Sequence, residues 1–381
     1  RPPRSTLFPY TTLFRSEYHC PDCGAQIVMD ENTAATECVY CGNTAIITER
    51  FEGKFEPKRV IPFKTTKEEA IEAFSSYKKG KVFMPKDFLN KNNIEKVSGV
   101  YIPFFLYDMI VDGSLDVEAI KEQRWSEGDY KYVKKDYYNV IREGNMIFEK
   151  IPTDASKKFS DDIMDSIEPF NYEDLKTFNS SYMSGFLAEK YDLDADDLLS
   201  RAEGRAKQTT QDILFADIKG YNSKRIDEFN GRVSINGVPE YVMLPVWMMT
   251  TKYQGESYTF AINGQTGKMV GSLPIDKGLY GKFLGLGILI PMLVMQFLMY
   301  FSGGFSGKGE VIALIVSLLI GWIYTSHLKA GMNTVAMKTG AGSYMRENSV
   351  RTRHPEDVFL FTKTERRQKT TTPPGNPPAK P

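Results

Sequence analysis

Histidine is scarce in this sequence. Only three histidines occur among 381 residues, and none lies between residues 51 and 282. A nucleophilic triad that depends on histidine is therefore excluded from that stretch. A phosphate-binding loop is also lacking, because the nearest string, Gly303 to Gly309, has the wrong spacing and no final Ser or Thr. We therefore expect no enzyme; the alternative is an active site that one sequence does not reveal.

A net charge is lacking as well, since 48 basic residues are matched by 48 acidic residues. A freely diffusing nucleic-acid-binding protein usually carries a basic excess. Residues 17–50 are acidic, with Arg50 as the single basic residue against six acids, which opposes contact with phosphates. The sequence thus argues against nucleic acid as a partner, and it identifies no small-molecule substrate.

Cysteine is absent outside one short segment, where Cys20, Cys23, Cys38 and Cys41 form two Cys-x-x-Cys pairs fourteen residues apart. This is the spacing of a four-thiolate structural zinc site, in which each pair wraps one side of a tetrahedral metal. We predict a zinc ribbon over residues 17–50, with one structural Zn²⁺ held by these four cysteines. His19 adjoins the motif but is not needed as a ligand. Two disulfides are the alternative.

Residues 1–16 do not resemble natural protein. Residues 6–16, TLFPYTTLFRS, are the in-frame translation of a common sequencing-adapter oligonucleotide. We interpret residues 1–16 as an adapter artefact, exclude them from fold reasoning, and expect the natural N-terminus to be missing. The alternative is an Arg- and Phe-rich targeting peptide, although the continuous apolar core of a signal peptide is not present.

Charged residues are missing from two long apolar runs. Phe283–Phe301 contains nineteen residues and Val311–Leu328 contains eighteen. Each would form a helix about 27–28 Å long, close to the hydrocarbon thickness of a bilayer. We predict two transmembrane helices, 283–301 and 311–328, joined by a short external turn of residues 302–310. Two buried core helices are the alternative, but core helices seldom run so long without a charged face.

Basic residues flank these runs unequally. Lys277 and Lys282 precede the first run and several cations follow the second, whereas the connector holds only Lys308, which Glu310 offsets. The positive-inside rule therefore predicts that both termini are cytoplasmic. A reducing compartment also suits a zinc-thiolate site.

Residues 329–381 form a basic tail, with ten basic and four acidic residues. Such a segment next to a membrane is attracted to anionic lipid headgroups. Val358–Thr362 could form a short strand, and the Pro-rich end, residues 370–381, is expected to be disordered.

The stretch from residue 51 to 282 has the mixed patterning of a cytoplasmic α+β domain. We predict a helix over 66–79 capped by Thr66, strands over 99–108, 130–149 and 230–272, short helices over 160–187, and a longer helix over 194–214. The predicted fold class is therefore α+β: an N-terminal zinc ribbon, a mixed soluble domain with antiparallel β-strands and a helical insert, then a two-helix transmembrane hairpin.

Two apolar segments of this domain echo each other. Val100–Tyr107 and Val242–Met249 both place a proline, Pro103 or Pro245, after three apolar residues. Because proline cannot donate to a ladder, we expect both segments at a sheet edge or a strand start. Two related β-units around a helical insert are one interpretation, and chance similarity is the other.

Several motifs together resemble a known family. They are CPDCG, AATECVYCGN, VIPF at 60–63, GVYIPFFLYD at 99–108, SIEPF at 166–170, LPVWM at 244–248 and FAINGQTGK at 260–268. The chain is similar, over residues 17 to about 367, to bacterial membrane-anchored TFIIB-type zinc-ribbon proteins, often labelled phage replication or primosomal-helicase-like. One branch of that family neighbours phage-shock-protein-A-like and SPFH proteins. Another ribbon often precedes this one in similar proteins.

The resemblance implies a bacterial cytoplasmic membrane protein whose partners are proteins of those two types, in addition to membrane lipid. The predicted function is a membrane-anchored zinc-ribbon adaptor or scaffold that docks cytoplasmic partners at the inner membrane face, without catalysis. The alternative is a membrane-associated nucleic-acid-binding zinc-ribbon protein related to replication or the primosome.

Overall fold

The computed structural model describes residues 15–20, 26–30, 32–37, 44–47, 51–88, 97–301, 307–335, 340–355 and 357–369. Its helices are α1 (Lys67–Tyr77), α2 (Asp161–Ser166), α3 (Ala195–Asp217), α4 (Lys277–Phe301) and α5 (Gly307–Ala330). Its strands are β1 (Arg15–His19), β2 (Gln26–Asp30), β3 (Thr33–Glu37), β4 (Thr44–Ile46), β5 (Arg59–Val60), β6 (Ser98–Glu127), β7 (Tyr130–Asp154), β8 (Lys176–Thr177), β9 (Leu187–Glu189), β10 (Ser223–Ile235), β11 (Glu240–Tyr253), β12 (Glu256–Asn263), β13 (Met269–Gly271), β14 (Arg351–Arg353) and β15 (Val358–Gln368).

The chain folds into two units, each assembled from separate segments. Unit 1 comprises residues 1–106, 152–198 and 239–339, and unit 2 comprises residues 107–151, 199–238 and 340–381. The long strand β6 therefore contributes its first part to unit 1 and its remainder to unit 2.

Unit 1 is built on a sheet in which β11 lies between β6 and β12, with β13 beyond β12. Alternate sides of β11 reach two apolar clusters, one containing Val242, Leu244 and Val246 and the other containing Trp247 and Met249. Burial on both faces explains why this strand is an almost continuous apolar run.

The echoing segments are neighbours in the middle of this sheet, so the expectation of an edge position was wrong. Leu244 pairs with Ile102 and Pro245 with Tyr101 in an antiparallel ladder. On the edge of β11 that faces away from β6, Val242 and Met243 pair with β5, and the pairing with β12 begins at Val246. Pro245 is tolerated because it lies between these two ladders. Its missing N–H therefore falls in a gap between two ladders.

Unit 2 is a sheet of β10, β6, β7, β14 and β15 with most of helix α3. α3 lies close to the sheet because glycines stand beneath it: a Cβ added at Gly113 would lie 2.7 Å from Thr210 Cγ2, and one at Gly144 would lie 2.9 Å from Leu214 Cδ2. The last two strands, β14 and β15, come from residues that follow the apolar helices.

The local predictions for the soluble domain are confirmed in kind. α1 begins with Thr66 as N-cap, and the Thr66 and Glu69 side chains form a reciprocal capping box. The short helices, α3, and the predicted strands are also present, although β6, β7 and β15 are longer than predicted. The fold is mixed α/β, and its sheet is mixed rather than wholly antiparallel, because β5 runs parallel to β11 and β9 parallel to β6.

Candidate functional site

Helices α4 and α5 form an apolar hairpin that is long enough to cross a membrane. No residue of α4 is buried, and side chains such as Phe297, Leu298 and Trp322 are 60–62% exposed. A core helix of a soluble protein would have most of this surface covered. An exposed apolar surface of this size is typical of a segment that contacts lipid or a partner.

The two helices meet through small residues at four-residue intervals on α5: Ala313, Ser317, Gly321 and Thr325 are all buried. A Cβ added at Gly321 would lie 2.6 Å from Ile288 Cγ1 and 3.1 Å from the carbonyl carbon of Gly287. The hydroxyls of Ser317 and Thr325 donate to the carbonyls of Ala313 and Gly321, at 2.7 and 2.8 Å. The interface is thus the small-residue packing used by membrane helices, with its hydroxyls satisfied.

The start of the hairpin is fixed to the core of unit 1. The Phe83 ring contacts the rings of Tyr280 and Phe283, with centroids 5.5 and 5.6 Å apart. Asp276 caps α4, because its Oδ1 accepts hydrogen bonds from the N–H groups of Gly278 and Leu279 at 2.7 and 3.0 Å. The Asp276 N–H in turn donates to the carbonyl of Phe83 at 2.8 Å.

The end of the hairpin is held by the same part of unit 1. The Lys81 ammonium donates to the Gly331 carbonyl, and the Leu273 N–H donates to the Met332 carbonyl at 3.0 Å. The Tyr77 hydroxyl donates to the Gly271 carbonyl at 2.7 Å and lies 3.0 Å from the Thr334 hydroxyl. Burial raises the pKa of the Tyr77 phenol, so it stays protonated and able to donate. We call Tyr77, Lys81, Phe83 and Asp276 the collar of the hairpin.

Segments on either side of the hairpin also pair with each other within each unit. In unit 1, Ser272 bridges to Asn333. In unit 2, β15 pairs with β7 from Gln368–Tyr130 to Val358–Asn139, and β14 pairs with β7 at Glu143–Asn145. Strands before and after the hairpin can pair only if they lie on the same side of a membrane.

The predicted zinc ligands are only partly described. Cys20 is buried, at 2% exposure, whereas Cys23, Cys38 and Cys41 lie outside the described residues. The part of the chain that is described contains no cluster of three or more His, Cys, Asp and Glu able to hold a metal.

The strands around the cysteines suit a ribbon. β1 and β2 are antiparallel, and their last pair is His19–Gln26; β3 and β4 are antiparallel, and their last pair is Glu37–Thr44. Each Cys-x-x-Cys pair therefore occupies the sequence that links two paired strands, which is where a ribbon carries its ligands. The donor set fits zinc on this observation.

Unit 2 also carries an open cleft of about 1220 Å³ with mixed charge. Asn145 Nδ2 donates to Asp112 Oδ1 at 2.5 Å, and Arg346 forms an ion pair with Glu149. Arg232, Arg351 and Arg353 complete the basic part of the lining. This arrangement suits a polar partner.

Comparison with known proteins gives one informative match. YdjG of Bacillus subtilis (strain 168), an uncharacterized protein, is 34% identical in an alignment of 311 residues that covers 68% of this chain and 91% of YdjG. The chain belongs to the YdjG family. The match supplies no activity, because YdjG is itself described only as an uncharacterized protein. No family model matches the chain, and no solved structure matches it significantly.

Sequence reasoning identified the hairpin from its composition but missed the collar. Tyr77 lies 194 and 257 positions from Gly271 and Thr334, which its hydroxyl contacts, and Lys81 lies 250 positions from Gly331. An aromatic residue and a lysine after an amphipathic helix are too common to indicate such contacts. The Asp276 cap, directly before α4, was the one signal available.

Proposed function

We propose that this protein is a membrane-anchored, non-enzymatic adaptor that holds cytoplasmic proteins at the inner face of a bacterial membrane. The observation that carries the proposal is the exposed apolar hairpin whose two ends are both fixed by the collar of unit 1. A hairpin fixed in this way anchors a folded domain at the surface of a bilayer, in contrast to a flexible tether.

The proposed orientation has the hairpin turn outside and both termini in the cytoplasm. Strand pairing across the hairpin supports a common side for both flanks, and the positive-inside rule supports the cytoplasm as that side. Lys277, Lys282 and Lys329 are exposed at the membrane-proximal ends of α4 and α5, where they can contact lipid phosphates.

Reporter fusions test this orientation. Alkaline phosphatase, which is active only outside the cytoplasm, should be active when fused after Gly307 and inactive after Lys369. Green fluorescent protein should show the reverse pattern. Phosphatase activity at Lys369, or a full chain released from membranes by alkaline carbonate, would contradict the anchor.

The ribbon is proposed to bind one structural Zn²⁺ through Cys20, Cys23, Cys38 and Cys41, as in the TFIIB-type zinc-ribbon proteins that the sequence resembles. Bracketing of both cysteine pairs by antiparallel strands supports this assignment. The acidic ribbon is proposed to contact proteins rather than nucleic acid.

The partner proposed from the resemblance is a phage-shock-protein-A-like or SPFH-like protein. A fluorescent fusion of such a protein, encoded by the same genome, should lose its membrane localisation in a strain that lacks this chain and regain it on complementation. Unchanged localisation, together with no site-specific crosslink between the two proteins, would argue against the adaptor.

A further inference from the structure

A three-stranded blade projects from the sheet of unit 2. It is formed by residues 121–127 of β6, residues 130–139 of β7 and residues 358–368 of β15. β7 is its central strand, and β15 pairs with no other described strand, so the blade ends in an open edge. The Trp125 and Tyr132 rings stack near its tip, with centroids 5.2 Å apart.

The blade exposes apolar side chains that no described core covers. Val358, Phe359, Leu360 and Phe361 are 48–53% exposed, and Trp125 is 42% exposed. Four consecutive apolar residues on an exposed edge strand are an aggregation hazard unless something covers them.

One face of the blade brings like charges together. The register places Lys363 opposite Lys135 and Arg367 opposite Lys131. Directly opposed like charges destabilise a sheet. Lys135 and Lys363 form long ion pairs with Glu122 and Glu365, at 3.8 and 3.7 Å, whereas Lys131 and Arg367 have no acid within ion-pair distance among the described residues. An external anion would relieve this repulsion.

We propose that the blade is a second membrane contact, in which Lys131, Lys135, Lys363 and Arg367 bind anionic phospholipid headgroups and Val358–Phe361 with Trp125 enter the interfacial layer. This inference depends on the proposed function, because the hairpin brings the chain to the bilayer. Trp125, which stacks on Tyr132, lies on the opposite face from Lys131 and Lys135, so the cations and the exposed ring flank the same small sheet. Basic residues combined with an exposed Trp and apolar side chains are the composition of interfacial lipid contacts. A single-stranded nucleic acid would use the cations and aromatic rings, but Val358 and Leu360 offer no ring on which a base could stack.

Hydrogen exchange of the full chain in lipid nanodiscs tests the proposal. The chain is inserted into discs of phosphatidylcholine alone and discs containing phosphatidylglycerol, and exchange is followed in residues 120–138 and 358–369. We expect about tenfold slower exchange of these segments in the anionic discs, with unchanged exchange in unit 1. High salt should remove the difference, because it screens the headgroup charge.

A quadruple variant, K131Q/K135Q/K363Q/R367Q, should show no difference between the two discs. The matched control K219Q/R225Q, which neutralises two exposed cations of unit 2 outside the blade, should behave as the natural chain does. Exchange of α3 reports whether each variant is folded. Equal exchange in both discs for the natural chain would overturn the proposal.

The remaining outcomes are distinct. A chain that inserts into neither disc would refute the hairpin anchor, whereas a chain that inserts into both without protection of the blade would refute only the lipid contact. Added polyuridine or polyglutamate could slow exchange of the blade in phosphatidylcholine discs while phosphatidylglycerol does not. That result would assign the blade to a soluble polyanion and overturn the lipid assignment.

Discussion

Arg142 helps to hold the residues after the hairpin to unit 2, in addition to the ladders of β14 and β15 with β7. Arg142 is only 7% exposed, and its Nη1 donates to Asp357 Oδ1 at 2.8 Å. The Tyr221 hydroxyl donates to the other oxygen of Asp357 at 2.6 Å. Asp357 immediately precedes β15, so this network fixes the start of the strand.

Replacing Arg142 with Met should loosen β15. The substitution keeps an apolar stem but leaves the Asp357 carboxylate without its cation, at an expected cost of about 2 kcal/mol. Amide exchange of residues 358–368 in the detergent-solubilised chain should then rise roughly thirtyfold if β15 opens locally.

Arg225 provides the matched control. Its exposed side chain pairs with Glu118 and Asp227 at 3.3 and 3.2 Å. Such surface pairs contribute about 0–1 kcal/mol, so Arg225→Met should change exchange little. Equal effects of the two substitutions would show that Arg142 has no special role.

The same network predicts a pH dependence. Burial opposes ionisation of Asp357, but hydrogen bonds from Arg142 and Tyr221 outweigh it and hold the pKa of this carboxyl below its ordinary value of 3.8. Because the pKa is lower in the folded state, the stabilisation is present above pH 3.8 and is lost as pH falls through the folded pKa. Protection factors of β15 should therefore fall at acid pH, and Asp357→Asn should remove that component of the fall.

Among secondary-structure elements, the crossing of α4 and α5 depends on the absence of a side chain at Gly321. Gly321→Val should force the helices apart, because its Cβ would overlap Ile288 and approach the Gly287 backbone. We expect overpacking to cost about 1–3 kcal/mol and to lower the thermal midpoint in detergent. Gly285→Val is the control, since a Cβ there meets nothing within 4 Å. If Gly285→Val lowered the thermal midpoint and Gly321→Val did not, the close contact between α4 and α5 would not be at Gly321.

The ribbon gives a metal prediction. The full chain, purified in detergent, should contain about one zinc per molecule by elemental analysis. Cys38→Ser should release the metal, and Cys20→Ser should do the same. His19→Ala should retain it, because His19 is exposed and four thiolates complete the shell. Full metal content in the Cys38 variant would refute the assignment.

Elements were predictable where local sequence determines them, and their pairings were not. The apolar runs, the Thr66 capping box and the acidic start of α3 each depend on residues a few positions apart. The partners of β15, the parallel pairing of β5 with β11 and the collar join residues more than 150 positions apart, and no local pattern encodes such a choice. The strand after the hairpin was predicted over Val358–Thr362, and it extends to Gln368 because its polar residues pair with β7.

At the scale of the whole molecule, the chain leaves unit 2 before the apolar hairpin and re-enters it after the hairpin. Residues 107–151 and 199–238 precede the hairpin, and residues 340–369 supply β14 and β15 only after it. Unit 2 is therefore complete only when the hairpin and the residues after it have been synthesised. Such long-range pairing is expected to form late in folding.

Truncation tests this dependence. A stop codon at Gly340 keeps both apolar helices but removes β14, β15 and the Asp357 partner of Arg142. We expect the shortened chain to remain membrane-bound, with unit 1 protected from exchange and β7 exchanging as an open edge. A stop codon at Thr370 is the control, because it removes only residues beyond β15 and should leave exchange of β7 unchanged. If the Gly340 truncation left β7 fully protected, unit 2 would not depend on the segment after the hairpin. If the truncation released the chain from the membrane, the anchor would require more than α4, α5 and the collar.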